Sequence, residues 1–364
     1  MLRMTEQSYP CLSLGLMSGT SMDGIDAALL WTDGEGVIEP RGFHSTSYSS
    51  PFRQALAECL QEPDRLAPSL EEELTRRHAD AVQELLSRFG VTAADIALVG
   101  FHGHTVLHRP AERRTWQVGD GGQLAAATGI PVVFDFRSAD VAAGGHGAPL
   151  APIFHAGIAA SVERPCVFLN LGGIANVTWV GGGADELIAF DTGPANMLLD
   201  QWVARHTGEA MDFGGKLALE GKADPKVLAG MMGKPFFQEL PPKSLDRLDF
   251  DLADVAGLSP EDGAATLAAF TVSSVASAQR YFPSPARRWF VGGGGRHNRA
   301  IMDGLRQTLP VSVADAAEIG IDGDALEAQA FAYLAVRRAR GLPISFPGTT
   351  GVPHPMAGGR IAQP

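Results

Sequence analysis

Apolar and polar residues alternate in blocks near the start of the chain, in a pattern that predicts a β-hairpin. Residues 12–17 and 25–31 are mainly apolar, and the residues between them are Ser, Gly, Thr, Ser, Met, Asp and Gly. Two apolar runs joined by a short polar stretch with glycines are typical of two strands and a tight turn. No helix-forming segment follows the first strand, so the pattern favours a hairpin-type phosphate site over a Rossmann site.

The same pattern returns in the middle of the chain. Residues 167–171 are mainly apolar, Gly172 and Gly173 follow, and residues 174–180 form a further mainly apolar run. A repeated unit of strand, glycine turn and strand indicates an internal duplication. Two such hairpins would begin two related domains that face one nucleotide from opposite sides.

Helical segments lie between the predicted strands. In residues 70–86, for example, apolar positions recur three or four residues apart, and Ser69 is a candidate N-cap. The 43 glycines gather at the ends of apolar runs, where they mark tight connections. Alternating strands and helices of this kind predict an α/β fold.

Composition and charge narrow the class of protein. A chain of 364 residues has room for two domains of ordinary size, and 45% hydrophobic against 19% charged residues excludes wholesale disorder. The net charge of −12 argues against nucleic acid and anionic membrane surfaces as partners. No run approaches the length of a membrane span, residues 1–7 lack the apolar core of a signal peptide, and the three cysteines are widely spaced. We therefore expect a soluble, cytoplasmic protein with reduced thiols.

The predicted turn of the first hairpin carries the groups that a phosphate site needs. It combines hydroxyl donors, glycines and carboxylates that suit magnesium: Ser18, Gly19, Thr20, Ser21, Asp23, Gly24 and Asp26. Neither a Gly-Lys-Ser/Thr P-loop nor a Gly-x-Ser-x-Gly nucleophile elbow is present. An ordinary hairpin whose turn is rich in Ser, Gly and Asp is the alternative.

Four consecutive glycines, residues 292–295, follow a strand-like run and precede a helical stretch that reaches Leu309. Backbone without side chains lets a flat base or a phosphate approach closely. This segment is therefore the candidate contact for adenosine, and a purely structural turn is the alternative.

Two carboxylates are candidates for acid–base chemistry. Asp191 ends the apolar run 187–190 and enters a Thr-Gly-Pro turn, which suits a general base at a strand end. An Asx-turn or a cap on the following helix is the alternative for this residue. Glu327 lies in an apolar helical segment, where an acid needs a partner, and a solvated position on the helix face is its alternative.

A cation and several histidines also follow predicted strands. Arg137 comes after the run 132–136 and offers a planar fork for a carboxylate, with an ion pair to Asp140 as the alternative. His102 stands at another strand end. Other histidines leave zinc binding as a further interpretation: His104, His108, His146 and His155. No cysteine or carboxylate completes the spacing of a zinc site, so neutral histidines that form hydrogen bonds are the simpler interpretation.

Ordered blocks along nearly the whole chain resemble one enzyme family. Residues 18–26 (SGTSMDGID) are similar to the N-terminal signature of the anhydro-N-acetylmuramic acid kinases, sugar kinases of the actin, hexokinase and Hsp70 class. Further similar blocks follow in matching order: FHGHT at 101–105, QVGDG at 117–121, DFR at 135–137, DVAAGGHGAPL at 140–150, NLGGIANV at 170–177, FDTGP at 190–194, PKS at 242–244, GGGG at 292–295 with Asn298, and Glu327 ahead of Ala330-Phe331. Their joint order makes the resemblance specific.

The resemblance implies a fold and a division into domains. It implies an α/β protein in which two ribonuclease-H-like, actin-like ATPase domains flank a central active-site cleft. We expect an N-terminal phosphate-binding domain of residues 1–140 with 330–364. A second domain of residues 141–329 would carry the catalytic aspartate and the adenosine loop. A homodimer is one assembly that the resemblance allows.

The resemblance also implies roles for individual residues, with ATP and Mg²⁺ as cofactors. Asp191 matches the catalytic aspartate, and Glu327 matches a glutamate that contacts water and sugar. The implied ATP and phosphate contacts are Gly19, Thr20, Ser21, Met22, Asp23, Gly24, Ile25, Asp26, Gly172, Gly173, Asn176, Gly293, Gly294 and Asn298. The implied sugar contacts are Ser18, His102, Asp120 and Arg137. Asp23 would hold Mg²⁺, directly or through water.

The implied reaction consumes ATP. Water opens the ring of 1,6-anhydro-N-acetylmuramic acid and O6 receives the γ-phosphate, which yields N-acetylmuramic acid 6-phosphate and ADP in peptidoglycan recycling. Two other functions stay open: a kinase of the same fold for an ordinary sugar, and a non-catalytic, ATP-switched protein of the actin or Hsp70 type. The chain departs from the usual family text at His104, His146, Ala195 and Leu245-Asp246-Arg247, which bears on substrate contacts rather than on the reaction class.

Overall fold

The structure, a computed structural model, describes residues 8–19, 22–61, 67–182, 186–245 and 249–364. Within these residues there are two compact units. The first comprises the described parts of Met1–Ala160 and Ala325–Pro364, and the second those of Ser161–Asp324. This division differs from the predicted boundaries at 140/141 and 329/330.

The described residues form twelve strands and twelve α-helices, besides several short 3-10 helices. The strands are β1 Cys11–Ser18, β2 Gly24–Thr32, β3 Ile38–Ser47, β4 Leu98–Arg109, β5 Arg114–Val118, β6 Val132–Phe134, β7 Cys166–Leu171, β8 Ile174–Val180, β9 Leu187–Pro194, β10 Arg288–Gly292, β11 Ser312–Asp315 and β12 Arg360–Ala362. The helices are α1 Ser50–Gln61, α2 Pro68–Phe89, α3 Gly121–Thr128, α4 Ser138–Ala142, α5 Pro152–Ala159, α6 Asn196–Thr207, α7 Lys216–Glu220, α8 Pro225–Met232, α9 Pro260–Ser277, α10 Arg299–Thr308, α11 Leu326–Ala339 and α12 Pro347–Thr350.

Each unit is built on one mixed sheet, and the two sheets share a strand order. The sheet of the first unit runs β3-β2-β1-β4-β6, with β12 added beside β6 and β5 beside β4. The sheet of the second unit runs β9-β8-β7-β10-β11. In both, the first three strands along the chain are antiparallel and the next core strand is parallel to the first of them. This is the ribonuclease-H-like arrangement, and both predicted hairpins are present, so the predicted α/β fold class is confirmed.

Helix α11 returns to the first unit because two strand glycines let it approach closely. A Cβ atom on Gly15 of β1 would lie 1.8 Å from the carbonyl oxygen of Ala328. A Cβ atom on Gly100 of β4 would lie 2.0 Å from that of Phe331. Glycine inside a strand permits such close contact between backbones. The helix therefore lies on β1 and β4, and this contact places Glu327 in the first unit rather than in the predicted second domain.

The boundary after residue 160 also has a packing reason. Helix α5 belongs to the first unit because Phe154 packs on Tyr333 of α11, with 5.4 Å between ring centroids. The second sheet starts only at Cys166, the first residue of β7. The chain therefore completes the first unit with a buried helix before it enters the second.

Helix α2 starts one residue before the predicted cap. The periodic segment 70–86 lies inside α2, but the N-cap is Ala67 and Pro68 occupies the first helical position. Proline suits that position because it has no N–H to satisfy and its φ is already helical. The prediction of Ser69 as the N-cap is therefore wrong, whereas the predicted helix is confirmed.

Candidate active site

The turn between β1 and β2 carries the predicted phosphate contacts of the first unit. The Met22 N–H donates a hydrogen bond to the Gly19 carbonyl at 3.0 Å, and Met22 has a positive φ of 58°. Asp23 is exposed, whereas the Ile25 side chain is buried in the core, so only the backbone of Ile25 is available to a ligand. Thr20 and Ser21, predicted with them, lie outside the described residues.

Tyr48 clamps both ends of this turn. Its backbone N–H donates to the Asp23 carbonyl at 2.9 Å, and its phenol oxygen lies 2.8 Å from Ser18 Oγ. Ser18 Oγ also lies 3.0 Å from His104 Nδ1. Ser18 is only 1% exposed. Its hydroxyl is therefore engaged in a buried hydrogen-bond network with Tyr48 and His104. The predicted contact of Ser18 with the sugar would have to compete with this network.

His102 and Arg137 form one hydrogen-bonded pair at the ends of β4 and β6. The His102 Nδ1–H donates to the Gly103 carbonyl at 2.9 Å, so Nε2 carries the lone pair. Arg137 Nε and Nη2 donate to that Nε2 at 3.1 and 2.8 Å. Burial, and then the charge of Arg137, hold the pKa of His102 well below its usual value. His102 is therefore neutral and orients the guanidinium.

The third guanidinium nitrogen of Arg137, Nη1, is held by a loop carbonyl whose position depends on the buried Asp140 carboxylate. Arg137 Nη1 donates to the Gly147 carbonyl at 2.7 Å, and the Gly147 N–H donates to Asp140 at 2.6 Å. Thr350 Oγ1 donates to the other Asp140 oxygen at 2.6 Å. Asp140 thus fixes the loop carbonyl that holds Arg137. No local signal in the sequence marks Thr350 as part of this group.

Glu327 lies in the first turn of α11, and its side chain is exposed to solvent. The surrounding protein still reduces the hydration of its carboxylate, and this desolvation raises its pKa. The Arg137 guanidinium lowers that pKa, while the charge of Asp26 raises it. Glu327, Arg137 and Asp26 therefore form one group of interacting charges within the first unit.

A cavity of about 230 Å³ adjoins His102 in the first unit. Its lining is aromatic and polar: Phe101, His102, Gly103, Thr115, Trp116, Gln117, Gly119, Phe134, Asp135, Ser138 and Arg360. Ligand sites of ordinary proteins have volumes of about 300–1,000 Å³, so this cavity suits one small polar molecule. Asp120, the predicted sugar contact nearby, caps α3: its carboxylate accepts from Gly122 N–H at 2.7 Å and from Gln123 N–H at 3.0 Å.

In the second unit, three polar residues occupy paired register positions on three neighbouring strands. Asn170 of β7 pairs with Asn176 of β8, which pairs with Asp191 of β9. The β8–β9 register shifts between Ala175 and Asn176, next to Asp191. Such irregularities are common beside active sites, where they redirect a side chain. The fold therefore brings together Asn176 and Asp191, which the sequence analysis assigned separately to nucleotide and catalysis.

Asp191 is held by the segment that follows residue 242. Its N–H donates to the Lys243 carbonyl at 3.0 Å, and its carboxylate accepts from the Leu245 N–H at 2.8 Å. Burial raises the pKa of Asp191 to about 6, although the Leu245 hydrogen bond and the Lys243 charge oppose this rise. A carboxylate with this pKa suits a general base near neutral pH.

Two expectations about the surroundings of Asp191 are corrected. Strand β9 does not end at Asp191 but continues to Pro194, because residues beyond the register shift pair with β8 again. The N-cap residue of α6 is Ala195, so Asp191 does not cap that helix. The Leu245 departure from the family text leaves the contact intact, since Leu245 uses its backbone. Asp246 and Arg247 lie outside the described residues.

The glycine-rich segment after β10 packs against the second hairpin. Gly293 has a φ of 76°, and a Cβ atom there would lie 2.4 Å from Asn170 Oδ1. A Cβ atom on Gly295 would lie 2.7 Å from the Leu171 side chain, whereas Gly294 has open space. Asn298 caps α10 by accepting from the Ile301 N–H at 3.2 Å. The predicted segment of strand, glycines and helix is thus confirmed.

The turn of the second hairpin uses its carbonyls within the fold. Gly173 O accepts from the N–H groups of Ala195 and Met197 at 2.9 and 3.1 Å, and Gly172 O accepts from the Asn196 N–H at 3.1 Å. The turn is thereby fixed to the start of α6.

The described ranges of the chain contain no group of three or more His, Cys, Asp and Glu side chains arranged to hold a metal ion. Asp23 is a single exposed carboxylate whose ion pair with Arg53 is long, at 3.8 Å. One carboxylate with substrate phosphates is how Mg²⁺ is bound in many kinases, so Asp23 fits that mode. No helix in the described part of the chain is both long and apolar enough to cross a bilayer.

Two ribonuclease-H-like units, a polar hairpin turn in one and a half-buried strand carboxylate in the other fit one class of protein: kinases built on the actin and hexokinase fold. The family described as anhydro-N-acetylmuramic acid kinase matches residues 11–364, and the chain belongs to this family. Its activity is accordingly that of a kinase.

Named relatives match over nearly their whole length. A protein of Rhizorhabdus wittichii is 49% identical over 97% of this chain and 99% of its own, and one of Acidiphilium cryptum is 52% identical over 97% and 98%. Both are named anhydro-N-acetylmuramic acid kinase. Component A of (R)-2-hydroxyglutaryl-CoA dehydratase from Acidaminococcus fermentans is 13% identical over 91% of this chain and 99% of its own, with a TM-score of 0.48. The fold assignment rests on the strand order above rather than on this likeness.

Proposed function

We propose that the protein is an ATP-dependent kinase that opens 1,6-anhydro-N-acetylmuramic acid with water and phosphorylates O6. The products are N-acetylmuramic acid 6-phosphate and ADP, and the reaction serves peptidoglycan recycling in the cytoplasm. The observation that carries the proposal is Asp191, a strand carboxylate held by two backbone contacts and with its pKa raised to about 6. The names of the relatives support the substrate.

Asp191 is the proposed general base. Its carboxylate takes a proton from water as the water oxygen bonds to the anomeric carbon and the bond from that carbon to O6 breaks. The released O6 attacks the γ-phosphorus, and ADP leaves. Proton transfer to a positioned base contributes about 10²–10⁴-fold to a rate, and phosphoryl transfer depends chiefly on positioning and charge stabilisation.

Glu327 is the proposed partner that orients water and sugar. Its exposed carboxylate on α11 is available to solvent and ligands, and its coupling to Arg137 and Asp26 supports a position among functional groups. Its pKa is raised by desolvation and lowered by Arg137, and we propose that it acts as a hydrogen-bond acceptor.

Arg137 is the proposed contact for the lactyl carboxylate of the sugar. His102 and Gly147 each accept hydrogen bonds from its guanidinium and fix its orientation. A preoriented guanidinium binds a carboxylate with directional, charge-assisted hydrogen bonds. The polar cavity of about 230 Å³ beside His102 supports a single sugar ring as the ligand.

The two hairpin turns and the glycine loop are the proposed contacts for ATP. Residues 19–26 would bind phosphates, and Gly172, Gly173, Asn176, Gly293, Gly294 and Asn298 would bind the rest of the nucleotide. Asp23 would hold magnesium, which neutralises phosphate charge when it is bound.

Product analysis in ¹⁸O-labelled water tests this function. With the anhydro-sugar and ATP, the product should gain one phosphate and the elements of one water molecule, with ¹⁸O at the anomeric position. A phosphorylated product whose anhydro ring is still closed would contradict the coupled reaction. Equal ADP release with ordinary N-acetylmuramic acid would favour an ordinary sugar kinase.

A further inference from the structure

Lys243 has its ammonium group fixed in a buried position of the second unit. The residue is 6% exposed. Its Nζ donates a hydrogen bond to the Phe236 carbonyl at 2.9 Å. The same Nζ lies 4.2 Å from the centroid of the Phe236 ring and 5.4 Å from that of Tyr281. A carbonyl and two ring faces hold a cation by polar and cation–π interactions, so this charge has one defined place.

The backbone of the same lysine is bonded to Asp191. The Lys243 carbonyl accepts from the Asp191 N–H at 3.0 Å, and two residues later the Leu245 N–H donates to the Asp191 carboxylate at 2.8 Å. The main chain of residues 243–245 is thus attached to β9 at Asp191, while the side chain of Lys243 is anchored on Phe236. Both attachments limit how far the ammonium can move relative to the carboxylate.

Among the described residues, other charged groups also act on this pair, whereas Asp246 and Arg247 lie outside the described part of the chain. Lys243 interacts electrostatically with Arg280, Glu239 and Asp191. Arg280 lies over the Tyr281 ring at 4.7 Å, and the Tyr281 hydroxyl donates to the Glu239 carbonyl at 2.8 Å. Within the described residues, Lys243 is the charged group whose interaction shifts the pKa of Asp191.

We propose that Lys243 is a positioning residue for the base: its fixed positive charge keeps the Asp191 carboxylate ionised at neutral pH. This inference rests on the proposed role of Asp191. It assigns a task to a lysine that stands in a family block but that the sequence analysis did not select as a site residue.

The directions of the pKa shifts agree with this geometry. Burial raises the pKa of Asp191 to about 6 and lowers that of Lys243 to about 8. Between these values both groups are charged and attract each other. When the lysine charge is removed, the Leu245 hydrogen bond still opposes the desolvation of Asp191 but the attraction of the ammonium is lost, so the pKa of Asp191 should rise further.

The test is the pH profile of kcat/KM for Lys243→Met. Methionine keeps the length and apolar stem of the side chain and removes the charge. The acid limb should move from about pH 6 to higher pH by about one unit. Activity should therefore fall several-fold at pH 6.5 and recover towards the wild-type value at pH 8. Lys243→Arg should keep the limb near pH 6, because it keeps the charge.

Lys234→Met is the matched control. Lys234 lies in the same unit, 5.0 Å from the Phe250 ring centroid and 2.6 Å from Asp254. Its removal also deletes a cation from an aromatic face but should leave the acid limb in place. A loss of activity in Lys243→Met that is equal at every pH, or an unmoved limb, would overturn the proposal and leave a structural role.

A measurement on the wild-type protein covers the case in which the Lys243 variants do not fold. With ¹³C-carboxyl-labelled aspartate, the Asp191 signal is assigned by its loss in Asp191→Asn. It should titrate near pH 6 and show a smaller second inflection near pH 8, where Lys243 loses its proton. A single step with no inflection would overturn the proposal. Near-normal turnover of Asp191→Asn would instead remove the proposed base itself, so the two failures are distinguishable.

Discussion

The two hairpins that begin the two units share a backbone but differ in chemistry. In the first unit, Met17 pairs with Asp26 and Asp26 pairs with Ser45 across β1, β2 and β3. In the second, Asn170 pairs with Asn176 and Asn176 pairs with Asp191 across β7, β8 and β9. The carboxylate is thus on the middle strand of one hairpin sheet and on the third strand of the other.

The turns differ as well. The first turn, residues 19–23, has room for exposed groups such as Asp23, whereas the second consists of Gly172 and Gly173 alone. The two sheets therefore share one backbone arrangement, and their different side chains give each sheet a different chemistry. The first sheet offers the exposed Asp23 carboxylate at its turn, and the second offers bare backbone beside a half-buried acid.

The largest expected effect concerns Asp191, the carboxylate on the third strand of the second unit. Asp191→Asn keeps the shape of the side chain and removes the base, so turnover should fall by about 10²–10⁴-fold. Ser45→Ala, at the matching register position of the first unit, should change turnover little. Steady-state kinetics with both substrates saturating measure the difference. Near-normal turnover of Asp191→Asn would reassign the base, with Glu327 as the next candidate.

A second prediction concerns the glycine loop that packs on the second hairpin. Gly293→Ala should destabilise the protein by about 1–3 kcal/mol, because alanine is strained at positive φ and its Cβ would contact Asn170. Gly294→Ala should cost far less, since nothing lies within 4 Å of that position. Urea unfolding of both variants checks this. Equal stabilities would show that the loop moves away from Asn170 at little cost.

A third prediction follows from the direction in which the pKa of Asp191 is shifted. The folded pKa of about 6 lies above the reference value of 3.8, so the ionised carboxylate is less favourable in the folded state. The stability present below the reference pKa is lost as pH rises through about 6. Asp191→Asn should therefore raise the unfolding free energy by up to about 3 kcal/mol at pH 8, and the gain should shrink towards pH 4. A variant less stable than wild type at pH 8 would argue against a desolvated carboxylate.

The smallest expected effects separate capping from binding. Asp120 in the first unit and Asn298 in the second each cap a helix. Alanine at either position should cost about 1 kcal/mol of stability. A rise in the KM for sugar with Asp120→Ala, or for ATP with Asn298→Ala, would add a ligand contact to the capping role. Unchanged KM values would limit both residues to capping.

The local pattern of apolar, polar and glycine residues was sufficient to predict these secondary-structure elements and several candidate site residues. The apolar runs predicted both hairpins, and the glycine run predicted the segment of strand, loop and helix that contains Gly293 and Asn298. These features depend on residues close in sequence, where periodicity and the conformational freedom of glycine act directly. Ser69 shows the limit of this approach, since Pro68 moved the helix start by its own backbone geometry.

The sequence alone determined the α/β class, the duplication and the carboxylates and cation available for chemistry, because these follow from composition and local order. The tertiary structure decided which of those groups meet. It placed Glu327 in the first unit through the contact of α11 with Gly15 and Gly100, and it buried Ser18 between Tyr48 and His104. It also joined Lys243 to Asp191, residues far apart along the chain. Such contacts depend on strand register and on close backbone approach, and no local pattern encodes either.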